Sequence, residues 1–285
     1  MKIYFHLSGR LGNQLFQWAY LHELVSQGHE IQLFTDKFHN DIHQDTNLNL
    51  LISQCSHLNA STVRNDLGMI LKIREKMVSG GKILRMLAKI LPILIETPLS
   101  SQIKRFPILI DGFFISKEWP MKYRDILCDE FSNLQKDIKF QSNMVQEIFL
   151  DFSKTTIHVR RGDLHNHKDT FGLLAKDYYL PLFSKEHKNL VLSDSIDEAR
   201  MIFEERGNCV FVDRSDDEVW KALVLMSTSA RIVMSNSTLS WWGGFFASNA
   251  NRAVVYMPKP FYRELSKFDE LLHLDEFTNV NSIFE

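Results

Sequence analysis

The residues with the clearest chemical purpose are Ile157-His158-Val159-Arg160-Arg161-Gly162-Asp163. A β-branched run ends abruptly in two arginines, a glycine and an aspartate. A strand of a parallel sheet delivers cationic side chains into a ligand crevice at its carboxyl end in this way. Adjacent guanidinium groups suit a diphosphate, because the planar fork matches phosphate oxygens and keeps its charge at any working pH. The plainer alternative is a surface Arg-Arg pair bridged to Asp163.

Two other stretches have the same strand-end character. Ser8-Gly9-Arg10-Leu11-Gly12-Asn13-Gln14 reads as a glycine-bearing turn between a strand and a helix starting at Leu15. Such a junction turns backbone N–H groups and a helix dipole toward an anion. Gly12 lets a ligand approach the backbone, and Asn13 and Gln14 offer amides that donate and accept. It is not GxGxxG, so a nicotinamide fingerprint is lacking. Ser235-Asn236-Ser237 precedes a helix containing Trp241 and Trp242, which gives hydroxyls and free helix amides a second phosphate cradle. The tryptophans read as core packing ahead of a sugar platform. Asp194, also at a strand end, either accepts from a ribose or guanine or caps the helix expected over 196–206.

The elements that position these residues alternate. Residues 3–7 and 31–34 read as strands around a helix stopped by Gly28, which makes one βαβ unit. Segment 36–68 is polar and weakly periodic. Segment 69–95 is helical in pattern, interrupted at Gly80-Gly81 and ended near Pro92. Ile108-Leu109-Ile110 reads as a short strand, and 121–150 as helical, with Met121, Ile126, Leu127, Phe131 and Leu134 as buried candidates. From Thr155 onward, apolar strands at 155–159, 190–192, 209–212, 231–234 and 253–257 alternate with helices. One of these helices opens at the capping box Ser215-Asp216-Asp217-Glu218. A second α/β sheet therefore begins near residue 151.

The chain has 285 residues, 45% hydrophobic and 24% charged, with net charge -2. That length fits two domains of about 140 residues. The near-neutral balance argues against nucleic-acid binding, which needs a basic field. Cys55, Cys128 and Cys209 are widely spaced and supply neither a disulfide framework nor a structural zinc site. The apolar start is too short for a signal peptide, which points to a cytoplasmic protein. Lys72, Arg74, Lys76, Lys82, Arg85 and Lys89 lie among apolar residues. Two readings stand for segment 69–95: peripheral contact with an anionic inner membrane face, or a domain helix with a solvated basic face.

Together these motifs resemble bacterial α-1,2-fucosyltransferases of glycosyltransferase family 11. His158 to Asp163 matches the HxRRGD pattern. Gly12 to Ala19 is similar to LGNQMFQYA, and Ser235 to Gly243 to NSSFSWWG. Gly112 to Ser116 is similar to GYFQS, and Leu192-Ser193-Asp194 to FSDD. The chain departs from the pattern at Arg10, Ile115, Leu164 and Gly244-Phe245, none of which touches the arginines.

The resemblance implies an α/β, GT-B-like fold with two Rossmann-like domains facing a cleft. Residues 1–150 are then the acceptor side and 151–285 the GDP-fucose-binding side. It implies inverting transfer to the 2-hydroxyl of a β-galactoside, in an oligosaccharide or a lipid-linked surface glycan, with no cofactor and no metal. Arg160 then contacts the diphosphate. His158, Arg161, Asp194, Ser235, Asn236 and Ser237 line the nucleotide pocket, and Asn13 reaches toward the donor. The chain contains no Asp-x-Asp metal motif, which fits a guanidinium clamp on the leaving group. Arg160, Asn13 and Asp163 form the expected catalytic set, with Arg161 paired to Asp163 or set against the cleft wall. The general base stays open among Asp163, His165, His167, Asp169, Asp111 and His6. Transfer of another GDP-sugar, and non-catalytic binding of a nucleotide sugar or glycan, are the alternatives.

Overall fold

The computed structural model describes residues 2–35, 61–62, 93–95, 109–137, 147, 149–204, 206–213 and 219–285. The basic segment through Lys89, Cys55 and the Ser215–Glu218 capping box lie outside the described residues.

In the first unit, β1 (Lys2–Leu7) is the central strand. It pairs in parallel with β2 (Glu30–Thr35) on one side and β5 (Leu109–Asp111) on the other. Short strands β3 (Ser61–Thr62) and β4 (Ile93–Ile95) complete the order β3-β2-β1-β5-β4. Helix α1 (Leu11–Ser26) crosses from β1 to β2 and is buried around nearly all of its circumference, from Leu11 to Leu24. It starts earlier than the expected Leu15. Gly9, at φ 76, makes the turn alone, so Gly12, Asn13 and Gln14 fall on the first helical turn. Gly28, at φ 79, lies just past its end, as expected.

Helices α2 (Glu118–Lys122) and α3 (Arg124–Asp137) follow. The break at Tyr123 resets the helical phase. Leu127, Phe131 and Leu134 share the buried stripe, whereas Met121 and Ile126, expected inside, are exposed. The two compact units are Met1–Glu130 and Phe131–Glu285, so the division falls within α3, ahead of the 150/151 position. The reason is local. Phe131 stacks on Phe246 at 3.9 Å, and Gln135 donates to Ser227 Oγ at 2.6 Å, both in the second unit.

The second unit is a six-stranded parallel sheet in the order β11-β10-β9-β6-β7-β8. Its strands are β6 (Thr155–Val159), β7 (Asn189–Ser193), β8 (Cys209–Asp213), β9 (Arg231–Val233), β10 (Val254–Lys259) and β11 (Phe277–Asn281). β6 and β7 are buried along their whole length, as central parallel strands must be. β11 was not anticipated. The helices include α4 (Lys168–Phe171), α5 (Lys176–Tyr179), α6 (Ile196–Phe203), α7 (Val219–Ser227), α8 (Thr238–Asn251) and α9 (Lys267–Leu272).

Trp241 and Trp242 are wholly buried in α8, and the Trp241 indole N–H donates to Leu272 O at 2.7 Å. They are core, as read from the sequence. Gly243 lets α8 meet α7 closely: a Cβ there comes within 2.7 Å of Met226 Cβ. Lys154, with no exposed surface, fastens the start of β6 to the end of α7. Its ammonium donates to Thr228 Oγ1 at 2.9 Å and to the carbonyls of Thr228 and Asp151 at 3.1 Å. Burial pushes its pKa down to about 8, against some support from Asp151. No helix among the described residues is long and apolar enough to cross a membrane.

Gly243→Ala gains helix propensity but overpacks the α7–α8 contact. A net loss of about 1–3 kcal/mol is expected in denaturant unfolding. For Lys154 the folded pKa lies below the unfolded value, so the unfolded chain binds more protons between them. Stability should therefore rise with pH from about 8 toward 10.5. Melting scans of wild type against Lys154→Met should show the gap move in favour of wild type across that window.

Candidate functional site

β6, flanked by β9 and β7, runs directly into Arg160; the chain leaving β9 carries Ser235–Ser237, and the chain leaving β7 carries Asp194. Parallel pairing therefore brings the three loops marked in the sequence to one edge of one sheet. Arg160 is largely buried and lies between two carboxylates. Nη2 donates to Asp163 Oδ1, and Nε is 3.0 Å from Asp194 Oδ2. Asp194 Oδ1 accepts the Arg161 backbone N–H at 2.8 Å. Gly162 makes this possible, since a Cβ there would stand 2.6 Å from Asp194 Oδ2. Asp194 thus holds the loop and the first arginine together. It does not cap α6, where Ser195 takes the N-cap position.

Arg161 behaves differently from the expectation. Asp163 pairs with Arg160, because the 3₁₀ turn over Gly162–His167 returns the chain three residues on. Arg161 turns inward, 3% exposed, with Nη2 2.7 Å from Glu285 Oε1 and Nε 3.9 Å from Glu198 Oε2. Its charge also faces Tyr179, whose phenol is raised by burial and partly relieved by Arg161. Glu198 accepts from His165 at 3.0 Å and from Ser195 Oγ at 2.8 Å, and these contacts hold its carboxyl below the usual range against the opposing pull of burial. His167 packs edge-on to Phe171. The two imidazoles of the His-x-His therefore have separate partners.

His158 is wholly buried. Its Nδ1 lies 2.6 Å from Ser240 Oγ and 3.2 Å from Ser235 Oγ, and the Ser235 N–H donates to Ser240 Oγ. These side chains fasten β6 to the first turn of α8. Asn236 donates through Nδ2 to the carbonyls of Phe171 and Gly172, at 2.8 and 2.9 Å. Its Oδ1 is buried without a hydrogen-bond partner. Ser237, extended and half-buried, is the N-cap of α8 and makes no side-chain cap bond. This fourteen-residue helix thus presents its N-terminal dipole at the same sheet edge as Arg160. Tyr262, buried against Phe171, also feels Arg160, whose charge opposes the upward shift that burial imposes on the phenol. Tyr262, Glu198 and Glu285 carry no local motif, and sequence reading did not find them.

The first unit has its own strand-end cluster. Gly12 is buried and Asn13 half-buried at the start of α1, where the Asn13 N–H donates to Arg10 O at 2.9 Å. Gln14 donates to Gly9 O at 3.0 Å. Gln17, wholly buried, ties two loops together: it donates to Gly112 O at 2.7 Å and accepts the Ser8 N–H at 3.2 Å. His6 and Asp111, named separately as base candidates, are partners: Nδ1 and Oδ1 are 2.8 Å apart.

Comparison with known proteins places this geometry. The model of glycosyl transferase family 11 matches residues 6–270. An Escherichia coli O-antigen biosynthesis glycosyltransferase, WbnK, is 24% identical over 98% of this chain and 100% of its own. An Escherichia coli alpha-1,2-colitosyltransferase is 24% identical over 55% of this chain; the match spans 58% of that relative. Among solved structures, a glycosyl transferase family 9 protein from Veillonella parvula aligns with TM-score 0.50 at 10% identity. That alignment covers 100% of this chain and 88% of the other, and the likeness is one of fold. The architecture is α/β and GT-B-like, with parallel sheets. Since the family match runs from the end of the first strand to the last helix, the chain belongs to glycosyl transferase family 11.

Proposed function

We propose that this glycosyltransferase moves L-fucose from GDP-fucose to the 2-hydroxyl of a terminal β-galactoside in a bacterial surface glycan. The reading has inversion at the anomeric carbon and no metal or other cofactor. The observation that carries it is the placement of Arg160: a guanidinium at the carboxyl end of β6, steered by Asp163 and Asp194, on the sheet edge where α8 opens without a side-chain cap. Departure of GDP builds negative charge on the β-phosphate. A preorganised guanidinium and a helix dipole meet that charge without reorganising.

The other residues act through this pair. Asp163 and Asp194 set the direction of the Arg160 fork, and Gly162 keeps the loop close to Asp194. His158, Ser235 and Asn236 fix the loop that ends in Ser237, and Arg161 anchors the opposite side of the motif to Glu285. A second reading, transfer of a related sugar or to a different hydroxyl, is favoured by the similarity to a colitosyltransferase. Product linkage analysis after incubation with GDP-fucose and β-galactosides separates the two.

Arg160→Ala should lower kcat by about 10²–10³. Arg160→Lys keeps the charge, and so limits damage to the buried carboxylates, but loses the fork and should also be severely impaired. Turnover near wild type in both variants removes Arg160 from the mechanism. In EDTA the wild-type rate should be unchanged. Activity lost with chelator and restored by a divalent ion overturns the guanidinium clamp.

A further inference from the structure

We propose that Glu198 is a positioning residue for the paired arginines, gripping their loop on both sides of its turn, and that His165 makes the grip depend on protonation, so that donor binding tightens on the acid side of neutrality. This inference rests on the reading of Arg160 as the clamp on the donor's diphosphate and adds what keeps the clamp in shape.

The connection from β7 into α6 brings two carboxylates to the loop that leaves β6. Asp194 takes the near hold, on Arg160 Nε and on the Arg161 N–H. Glu198 takes the far one. Its Oε1 and Oε2 lie 3.0 and 3.1 Å from His165 Nε2, and Oε2 is 3.9 Å from Arg161 Nε. Arg161 precedes the 3₁₀ turn and His165 lies within it, so one carboxylate spans the turn that carries Asp163 to Arg160. Glu198 is itself aimed from the sheet. Ser195 Oγ donates to Oε1 at 2.8 Å, and the Ser195 N–H donates at 3.0 Å to the hydroxyl of Ser193, the last residue of β7.

The burial of Arg161 makes this second carboxylate necessary. Glu285 meets the guanidinium only through Nη2, while the buried Nε and Nη1 have no hydrogen-bond partner among the described residues. Glu198 supplies the negative charge on the Nε side. Taking one partner from a buried ion destabilises it strongly, because the remaining charge is left uncompensated. The backbone of Arg161 leads straight from Arg160, so a shift of the second arginine moves the first.

The outer end of the contact is open to solvent. The His165 side chain is 47% exposed and that of Glu198 32%, so a proton reaches the imidazole without any opening of the fold. Histidine is the side chain whose charge changes between about pH 5 and 8. A proton on His165 turns its bond to Glu198 into a charge-assisted one. Burial works to raise the Glu198 carboxyl, but the contacts with His165, Ser195 and Arg161 outweigh it and hold it below the usual carboxylate range. Arg161 stays charged at any working pH, and burial raises the Tyr179 phenol beside it. Asp163, Asp194 and Glu285 complete the charges around the arginines, and Asp197 is exposed on the same turn of α6. His167, the other imidazole of the turn, packs on Phe171 instead. A proton that strengthens the seated turn is, by linkage, a proton that favours whatever ligand the seated turn binds.

The test is calorimetry of the whole protein with GDP-fucose from about pH 5.5 to 8. GDP itself is avoided because a terminal phosphate titrates near pH ~6. Wild-type affinity should fall about two- to fivefold from the acid to the alkaline end, the size expected of a partly exposed ion pair. His165→Gln, which keeps a neutral donor, should remove that slope and stay near the wild-type value of the alkaline end; His167 contributes equally to both proteins. Glu198→Gln should bind about tenfold more weakly at the acid end, with faster amide hydrogen exchange over residues 161–167 in the free protein. Asp197→Asn takes a charge from the same first turn of α6 and should match wild type. If Asp197→Asn is as weak as Glu198→Gln, Glu198 merely supports the helix and the positioning role is overturned. Unchanged affinity in Glu198→Gln overturns it too, and a slope retained in His165→Gln overturns the proton dependence. Wild type that binds no GDP-fucose removes the donor reading and this inference with it. Intact donor binding with unchanged exchange in Glu198→Gln removes the grip alone.

Discussion

A guanidinium largely withdrawn from water must be balanced, and the second unit is organised around that requirement at Arg160. Asp163 and Asp194 share the balance, and Asp194 has a second duty. Asp163 is brought to Arg160 by the 3₁₀ turn that begins at Gly162. Asp194 also accepts the Arg161 N–H, so the strand end of β7 grips the loop leaving β6. Removing Asp194 would alter both the charge and the course of the backbone. The arginine is therefore preorganised by charge and by chain geometry together.

Farther out, support comes from buried polar contacts at every flank of β6. Lys154 secures its start to α7, and His158 secures its end to α8 through Ser235 and Ser240. Each contact satisfies groups that would be costly to bury alone. The apolar packing of Trp241, Trp242, Phe245 and Phe246 then keeps α8 from sliding along the sheet. Site and core are thus continuous: the strand that carries the arginine is also the middle of the hydrophobic layer.

Much of this was legible in the chain. Strands β6 to β10 are short apolar runs bounded by polar turns, and central parallel strands have little other choice. The three strand-end loops and the core role of the tryptophans could be read directly. β11 could not: it lies at the edge, pairs only with β10 among the described residues, and carries Thr278, Asn279 and Asn281. The start of α1 was missed because Gly12 looked like the turn, whereas Gly9 makes it. Partnerships were least accessible. Asp194, Glu198 and Glu285 reach the arginines from distant parts of the chain, and His6 meets Asp111 because β5 enters beside β1. Spacing holds no record of such encounters.

The inward turn of Arg161 ties two distant regions into one cooperative unit. Glu285 meets it directly, and Phe284 pairs with Leu174 while its ring lies over Gly172, next to the carbonyls that hold Asn236. Fraying of the edge beyond β11 would strip the counter-charge from a buried cation and loosen the Ser-Asn-Ser loop in the same event. Local opening there and loss of the Arg161 anchor share one free-energy cost, so the integrity of a peripheral strand is coupled to that of the loop after β6.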